Sequence, residues 1–199
     1  MKRKILLKGP LLTRSGYGEQ TRFALRSLRS REDLFDIYIQ PLIWGATSWV
    51  AFDDAERRWI DNTIEKTIGY IQQGGQFDLS LQVTIPNEWE KLAPINIGYT
   101  AGIETNMVAP IWLQKSNEII DKLIVVSNHA KKVFEETVAM ASSGPNGPEF
   151  EYKLAIPVEV VNYPSKTFDS LPDLDLNVET DFNFLCVAQF GPRKNLPNT

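Results

Sequence analysis

The sequence predicts an α/β fold built on a parallel sheet with helices on both faces. Segments with the 3.6-residue apolar period of helices alternate with short apolar runs along most of the 199 residues. Those runs carry almost no polar side chain, as at Ile5-Leu6-Leu7 and Leu123-Ile124-Val125-Val126, so both of their faces are expected to be buried. Glycine and proline punctuate the steps between them. Strands buried on both faces and separated by helices belong to a parallel sheet, since each crossover places a helix against the sheet.

The first strand is expected over residues 4–8, where the apolar run is stopped by Gly9-Pro10. Residues 11–18 follow as a loop, and the glycines of Ser15-Gly16-Tyr17-Gly18 allow backbone conformations closed to other residues. A helix from Glu19 places Phe23, Ala24 and Leu28 on one face and Arg22, Arg26 and Arg29 toward water. Residues 35–39 are rich in strand formers and precede Pro41. Asp53 is the expected cap of the next helix, with Glu56 at the reciprocal position of a capping box. Ile60, Ile64, Ile68 and Ile71 then recur at helical spacing until Gly74-Gly75 ends the helix.

The alternation continues with strands over 77–83 and 94–100, a helix over 109–120 and a strand over 123–126. Ser127 caps a helix that carries Val133, Phe134 and Val138; residues 142–148 are a loop by composition, and 158–161 form another strand. Residues 1–165 therefore read as one Rossmann-like domain. Residues 166–180, with four acidic side chains and no helical period, read as a linker. Residues 181–199 read as the opening of a second domain, a strand over 182–188 and then Gly191-Pro192-Arg193-Lys194-Asn195, with the remainder of that domain cut off.

Composition narrows the function classes. Hydrophobic residues at 43% and charged residues at 23% exclude a disordered or collagen-like chain. A net charge of -4 provides no global attraction for nucleic acid or an anionic membrane, so no nucleic-acid partner is expected. A single cysteine, Cys186, excludes an internal disulfide framework and fits a reducing compartment. The apolar run after Met1-Lys2-Arg3-Lys4 is too short for a signal peptide, and no stretch approaches membrane-spanning length. These features place the chain in the cytoplasm. The arginines at 22, 26, 29 and 31 read as a solvated helix face, with peripheral attachment to the inner membrane face as the other reading.

Four segments together resemble the retaining glycosyltransferases of the GT-B fold, in particular the large family-4 group. They are the first strand with Gly16-Tyr17-Gly18 and its helix; Ile97-Gly98-Tyr99-Thr100-Ala101-Gly102-Ile103-Glu104-Thr105 with Pro110-Ile111-Trp112; Asp121 with Ile124-Val125-Val126-Ser127; and Phe184-Leu185-Cys186-Val187-Ala188-Gln189 with Arg193-Lys194-Asn195. The resemblance implies two Rossmann-like domains facing each other across a cleft. It implies transfer of a sugar, with retention, from a nucleoside-diphosphate sugar to a glycan or a lipid-linked acceptor. This chain would supply mainly the acceptor half, and the second domain would hold most of the nucleotide sugar. No metal or other cofactor is implied, because basic side chains and helix N-termini meet the charge on the leaving diphosphate.

Gly16, Tyr17 and Gly18 are candidate ligand-binding residues, because backbone N–H groups between a strand and a helix can approach a phosphate or a sugar. The other reading is a tight turn without a ligand, and neither G-x-G-x-x-G nor G-x-x-x-x-G-K is present. Arg193 and Lys194 are candidates for the donor diphosphate, with Lys194 the closer match to the family's diphosphate-binding lysine; Gln189 stands where the family often has arginine. Glu104, at the carboxyl edge of the sheet, is the catalytic candidate, orienting an acceptor hydroxyl; its other reading is a helix-capping acid beside Thr105. The family histidine of that region is missing.

His129, the only histidine, reads as a surface residue in the first turn of a helix. With one histidine and one cysteine no zinc site is expected, and the G-x-S-x-G elbow of the hydrolases is absent. Trp44 and Trp49 flank Gly45 in a loop where their rings can stack on a sugar, with burial as the default for any tryptophan. Two rival functions stay open: a non-catalytic carbohydrate-binding or regulatory half-protein, and an unrelated Rossmann-like domain binding a dinucleotide at the first loop. The strand 182–188, lacking a sheet of its own, is expected to be disordered, folded back, or paired with a second copy of the chain.

Overall fold

A computed structural model describes residues 2–44, 47–142, 144, 147–165, 167, 169–170 and 177–186. The chain divides into a body of residues 1–164 and a second unit from residue 165 onward. In the body the elements run β1 (Arg3–Gly9), α1 (Gly16–Arg29), β2 (Phe35–Pro41), α2 (Ala55–Gln72), β3 (Leu79–Val83), a 3-10 turn at Pro86–Glu88, and β4 (Ile95–Tyr99). They continue with α3 (Pro110–Ile119), β5 (Lys122–Val125), α4 (Asn128–Glu136), β6 (Ala139–Ser142), β7 (Glu149–Tyr152) and β8 (Val158–Val160). Six strands form one parallel sheet in the order β2-β1-β3-β4-β5-β8, and β6 pairs with β7 as a separate antiparallel ribbon.

The strand order follows from the crossovers. The chain steps from β1 to β2 in one direction and from β2 past β1 to β3, β4, β5 and β8 in the other. Right-handed crossovers in opposite directions put their helices on opposite faces. Side-chain alternation shows the outcome. Ile5, Leu7, Ile37, Ile39, Val83, Tyr99 and Val126 pack with Ala24, Leu25 and Leu28 of α1. On the opposite face, Leu123, Val125 and Val158 pack with Leu113 of α3 and Ala130, Val133 and Phe134 of α4. Leu7, Leu25, Leu113 and Leu123 have no exposed surface, and each contributes about 1.5–3 kcal/mol by burial. The α/β, Rossmann-like parallel sheet with helices on both faces is thus present as the sequence predicts.

α2 runs along the open edge of β2. Its Thr67 Oγ1 accepts the Ile39 N–H at 2.8 Å, and Lys66 Nζ donates to the Ile37 carbonyl at 3.0 Å. Behind β1, β3 and β4 a polar network fixes the segment that follows the 3-10 turn. Gln82 exchanges hydrogen bonds with the Glu90 backbone, and Asn96 Oδ1 accepts from the Leu92 and Ala93 amides. Trp89 packs closely on Gly98, where an added Cβ would stand 2.6 Å from the indole and 2.6 Å from Ile120 Cδ1.

Several local expectations are corrected. α1 begins at Gly16, three residues early, because Ser15 caps it by accepting the Gly18 N–H at 3.0 Å. Arg22 does not face water: it is buried and donates to the Leu11 and Thr13 carbonyls at 2.6 and 3.0 Å. Asp54, not Asp53, caps α2, while Asp53 pairs with Arg58 and Glu56 pairs with Arg26 rather than closing a capping box. β3 starts at Leu79, since Phe77 turns into a cluster with Leu6 and Tyr38. The β6–β7 ribbon was not expected; its strands are four residues long and mostly exposed, so they leave no apolar period.

In the second unit, residues 177–186 contain neither helix nor strand. Asn183 Nδ2 donates to the Thr180 carbonyl at 2.8 Å, closing a turn, and Phe184 is 92% exposed. The strand expected over 182–188 does not form across 182–186, because an apolar run becomes a strand only beside a ladder partner. Residues 187 and 188 lie outside the described residues. No helix among the described residues is long and apolar enough to cross a membrane.

Candidate ligand site at the β1–β3 switch point

In an open parallel sheet, ligands bind beyond the carboxyl ends of the strands where the strand order reverses. Here that point lies between β1 and β3. β1 ends at Gly9-Pro10, and Gly9 is required there: a Cβ would meet Thr21 Oγ1 at 2.6 Å and the Val83 carbonyl at 2.9 Å. The loop that follows is built from small polar groups. Thr13 Oγ1 donates to the Pro10 carbonyl at 2.8 Å and lies 2.8 Å from Ser15 Oγ, which caps α1. Gly18 packs against Thr13 so closely that a Cβ would collide with its carbonyl oxygen. Gly16, by contrast, is exposed and faces open space.

Tyr17 projects from the first turn of α1 across the ends of the strands. Its hydroxyl lies 2.8 Å from Thr100 Oγ1 and accepts the Ala101 N–H at 3.0 Å, reaching the end of β4. Its ring meets Trp44, beyond β2, edge to face at 5.3 Å. Burial raises the Tyr17 phenol above its ordinary value, the neighbouring Tyr163 and Glu88 adding to that rise, so the hydroxyl stays protonated at neutral pH. Beyond β3, the Glu88 carboxylate accepts the Trp44 indole N–H, at 3.2 and 3.4 Å to its two oxygens, and the Thr84 hydroxyl. Lys8, buried behind the sheet, donates to the Glu88 carbonyl at 2.8 Å and to Glu90 at 2.7 Å, and so anchors the turn that presents Glu88.

The crevice therefore gathers Tyr17, Trp44 and Glu88 over the buried Thr84 and Thr100 hydroxyls, from the ends of β2, β3 and β4 and the start of α1. Of the residues singled out in the sequence, Tyr17 and Trp44 meet here, while Gly16 and Gly18 flank Tyr17 in the chain. Glu104 is exposed on the loop after β4, and the next helix begins at Pro110 with Ala109 as its N-cap, so Glu104 is not that helix's cap. His129 is exposed in the first turn of α4, its Nε2 3.1 Å from the Thr105 carbonyl. Arg193 and Lys194 lie outside the described residues. Glu88 and Thr84 were missed because the relevance of the β3 end depends on strand order, which local periodicity does not carry.

A groove of about 480 Å³ lies elsewhere, lined by Phe23 and Ala24 of α1, by Leu81, Tyr99 and Ile124 of the sheet, and by Val161 just after β8. Its walls are mostly apolar, with Arg26, Ser27 and Asn162 also lining it. No protein-family model, curated protein or solved structure matches the chain.

Proposed function

We propose that this chain is the acceptor-side half of a GT-B glycosyltransferase, which transfers a sugar from a nucleoside-diphosphate sugar to a glycan or lipid-linked acceptor. The observation that carries this reading is the crevice at the β1–β3 switch point. It brings two aromatic rings beside a half-buried carboxylate, over the buried Thr84 and Thr100 hydroxyls, and an aromatic ring next to a carboxylate is a combination that binds a sugar by its apolar face and its hydroxyl edge. The segments that resemble the family flank it: Gly16-Tyr17-Gly18 forms one wall, and the loop bearing Glu104 leaves β4 beside it.

In this proposal Glu104 orients the acceptor hydroxyl, and the exposed amide of Gly16 approaches the sugar being transferred. Arg193 and Lys194 face the donor diphosphate once the second domain is in place. The reaction uses no metal or cofactor, the nucleotide sugar being a substrate, and it takes place in the cytoplasm. Saturation-transfer NMR with UDP-, GDP- and ADP-sugars and a panel of glycans tests the reading. Glycan signals without strong nucleotide signals are expected. Tight binding of a free dinucleotide, or no binding of any glycan, overturns it.

A further inference from the structure

We infer that Glu88 makes the switch-point crevice a subsite for a neutral, hydroxyl-rich sugar ring and turns phosphorylated ligands away. The inference rests on the proposed carbohydrate reading and narrows the class of acceptor unit the crevice takes.

The argument starts from the valence of the carboxylate. An ionised carboxylate has about four lone-pair sites and no proton to give. Among the described residues, the Trp44 indole N–H and the Thr84 hydroxyl are the donors at Glu88, and the indole N–H is shared between both oxygens. Acceptor capacity is left over on a half-buried group. A ligand fills it only by bringing donors of its own. Sugar hydroxyls do this; the oxygens of a phosphate at neutral pH are acceptors carrying the same sign of charge as Glu88.

The surroundings reinforce the choice. Trp44 is held by Glu88 at its nitrogen and by the Tyr17 ring 5.3 Å from its own, so the indole stands fixed beside the carboxylate. That pairing sets the Glu88 carboxylate at the edge of an aromatic ring, where a pyranose can meet an apolar surface and an acceptor together. The Tyr17 hydroxyl is held by the buried Thr100 hydroxyl at 2.8 Å and by the Ala101 N–H at 3.0 Å, which fixes the ring that packs on Trp44. Two cations among the described residues are engaged by other protein groups. Lys8 is buried behind the sheet between the Glu88 carbonyl and Glu90, and the Arg14 guanidinium stacks over the Phe52 ring at 5.2 Å.

The test is a pair of NMR titrations at fixed ionic strength, with methyl hexosides and with the matching hexose 6-phosphates, following the Trp44 indole N–H signal. The unmodified chain is expected to bind the neutral glycoside at least about tenfold more tightly and to shift that signal as it binds. Glu88→Gln keeps the shape but loses the charge, so it narrows the preference to within about threefold while the sugar phosphate gains affinity. Sugar phosphates binding as tightly as neutral glycosides in the unmodified chain overturn the inference and leave the carbohydrate reading standing. So do neutral glycosides that bind without moving the Trp44 signal, a measurement that needs no variant to fold. Absence of glycan binding altogether removes the carbohydrate reading, and this inference with it.

Discussion

The Tyr17 hydroxyl and the Thr100 hydroxyl oxygen lie 2.8 Å apart across 83 residues of sequence, tying the first turn of α1 to the end of β4. The Ala101 N–H, at 3.0 Å, closes the same junction. Tyr17→Phe keeps the ring on Trp44 but leaves that amide without its partner. We expect a loss of about 1–3 kcal/mol in unfolding free energy, read from the urea midpoint, together with weaker glycan binding.

The two glycines of the first loop separate structure from ligand contact. Gly18→Ala drives a Cβ into the Thr13 carbonyl and should destabilise the chain by about 1–3 kcal/mol, seen as a lower Tm with or without a glycan. Gly16→Ala meets only open space, so stability should be unchanged or slightly raised. A fall in glycan affinity for Gly16→Ala at constant Tm would then report a ligand that approaches the backbone there.

Arg22 and Arg26 sit one helical turn apart on α1 and should behave differently. Arg22 is buried and satisfies two carbonyls of the first loop, so Arg22→Leu should cost about 2–4 kcal/mol by denaturation. Arg26 pairs with Glu56 at 2.7 Å, both side chains partly in water, and Arg26→Ala should cost less than about 1 kcal/mol.

Stability should fall in alkali through Tyr38. Burial, helped by its hydrogen bond to Asp36, pushes the phenol up to about 12. An unfolded tyrosine titrates near 10, so between about 10 and 12 the folded chain keeps a proton that the unfolded chain has released. The contribution is complete below pH ~10, declines through that window and is gone above it; at most about 3 kcal/mol is involved. Burial raises Tyr17 and Tyr99 in the same direction. Urea midpoints at about pH 9 and 11 should converge in Tyr38→Phe relative to the unmodified chain, the residual slope coming from the other two tyrosines.

What could be seen in the sequence was what short range decides. Ile5-Leu6-Leu7 and Leu123-Ile124-Val125 marked strands buried on both faces, and Ser127 marked the start of α4, because period and capping are local. The exact cap of α2 was missed because Asp53 and Asp54 are adjacent and equally able; only the backbone direction at Asp54 decides. Arg22 was placed in water by its residue type, while the loop carbonyls it satisfies come from outside its own helix. The site was half legible. Tyr17 and its glycines sit in a recognisable strand-to-helix turn, but Glu88 becomes a neighbour of Trp44 only once β1 is inserted between β2 and β3.

The seam between α2 and β2 also governs how this molecule behaves in a crowd. A free strand edge is a template, and one chain's edge can recruit another's into a growing sheet. At β2 the Ile39 amide and the Ile37 carbonyl are already answered by Thr67 and Lys66, so an incoming strand finds part of the ladder taken there. The opposite margin is β8, only three residues long, a foothold too brief to hold a partner in register. Filament growth from the main sheet thus meets side chains at one end and too little length at the other.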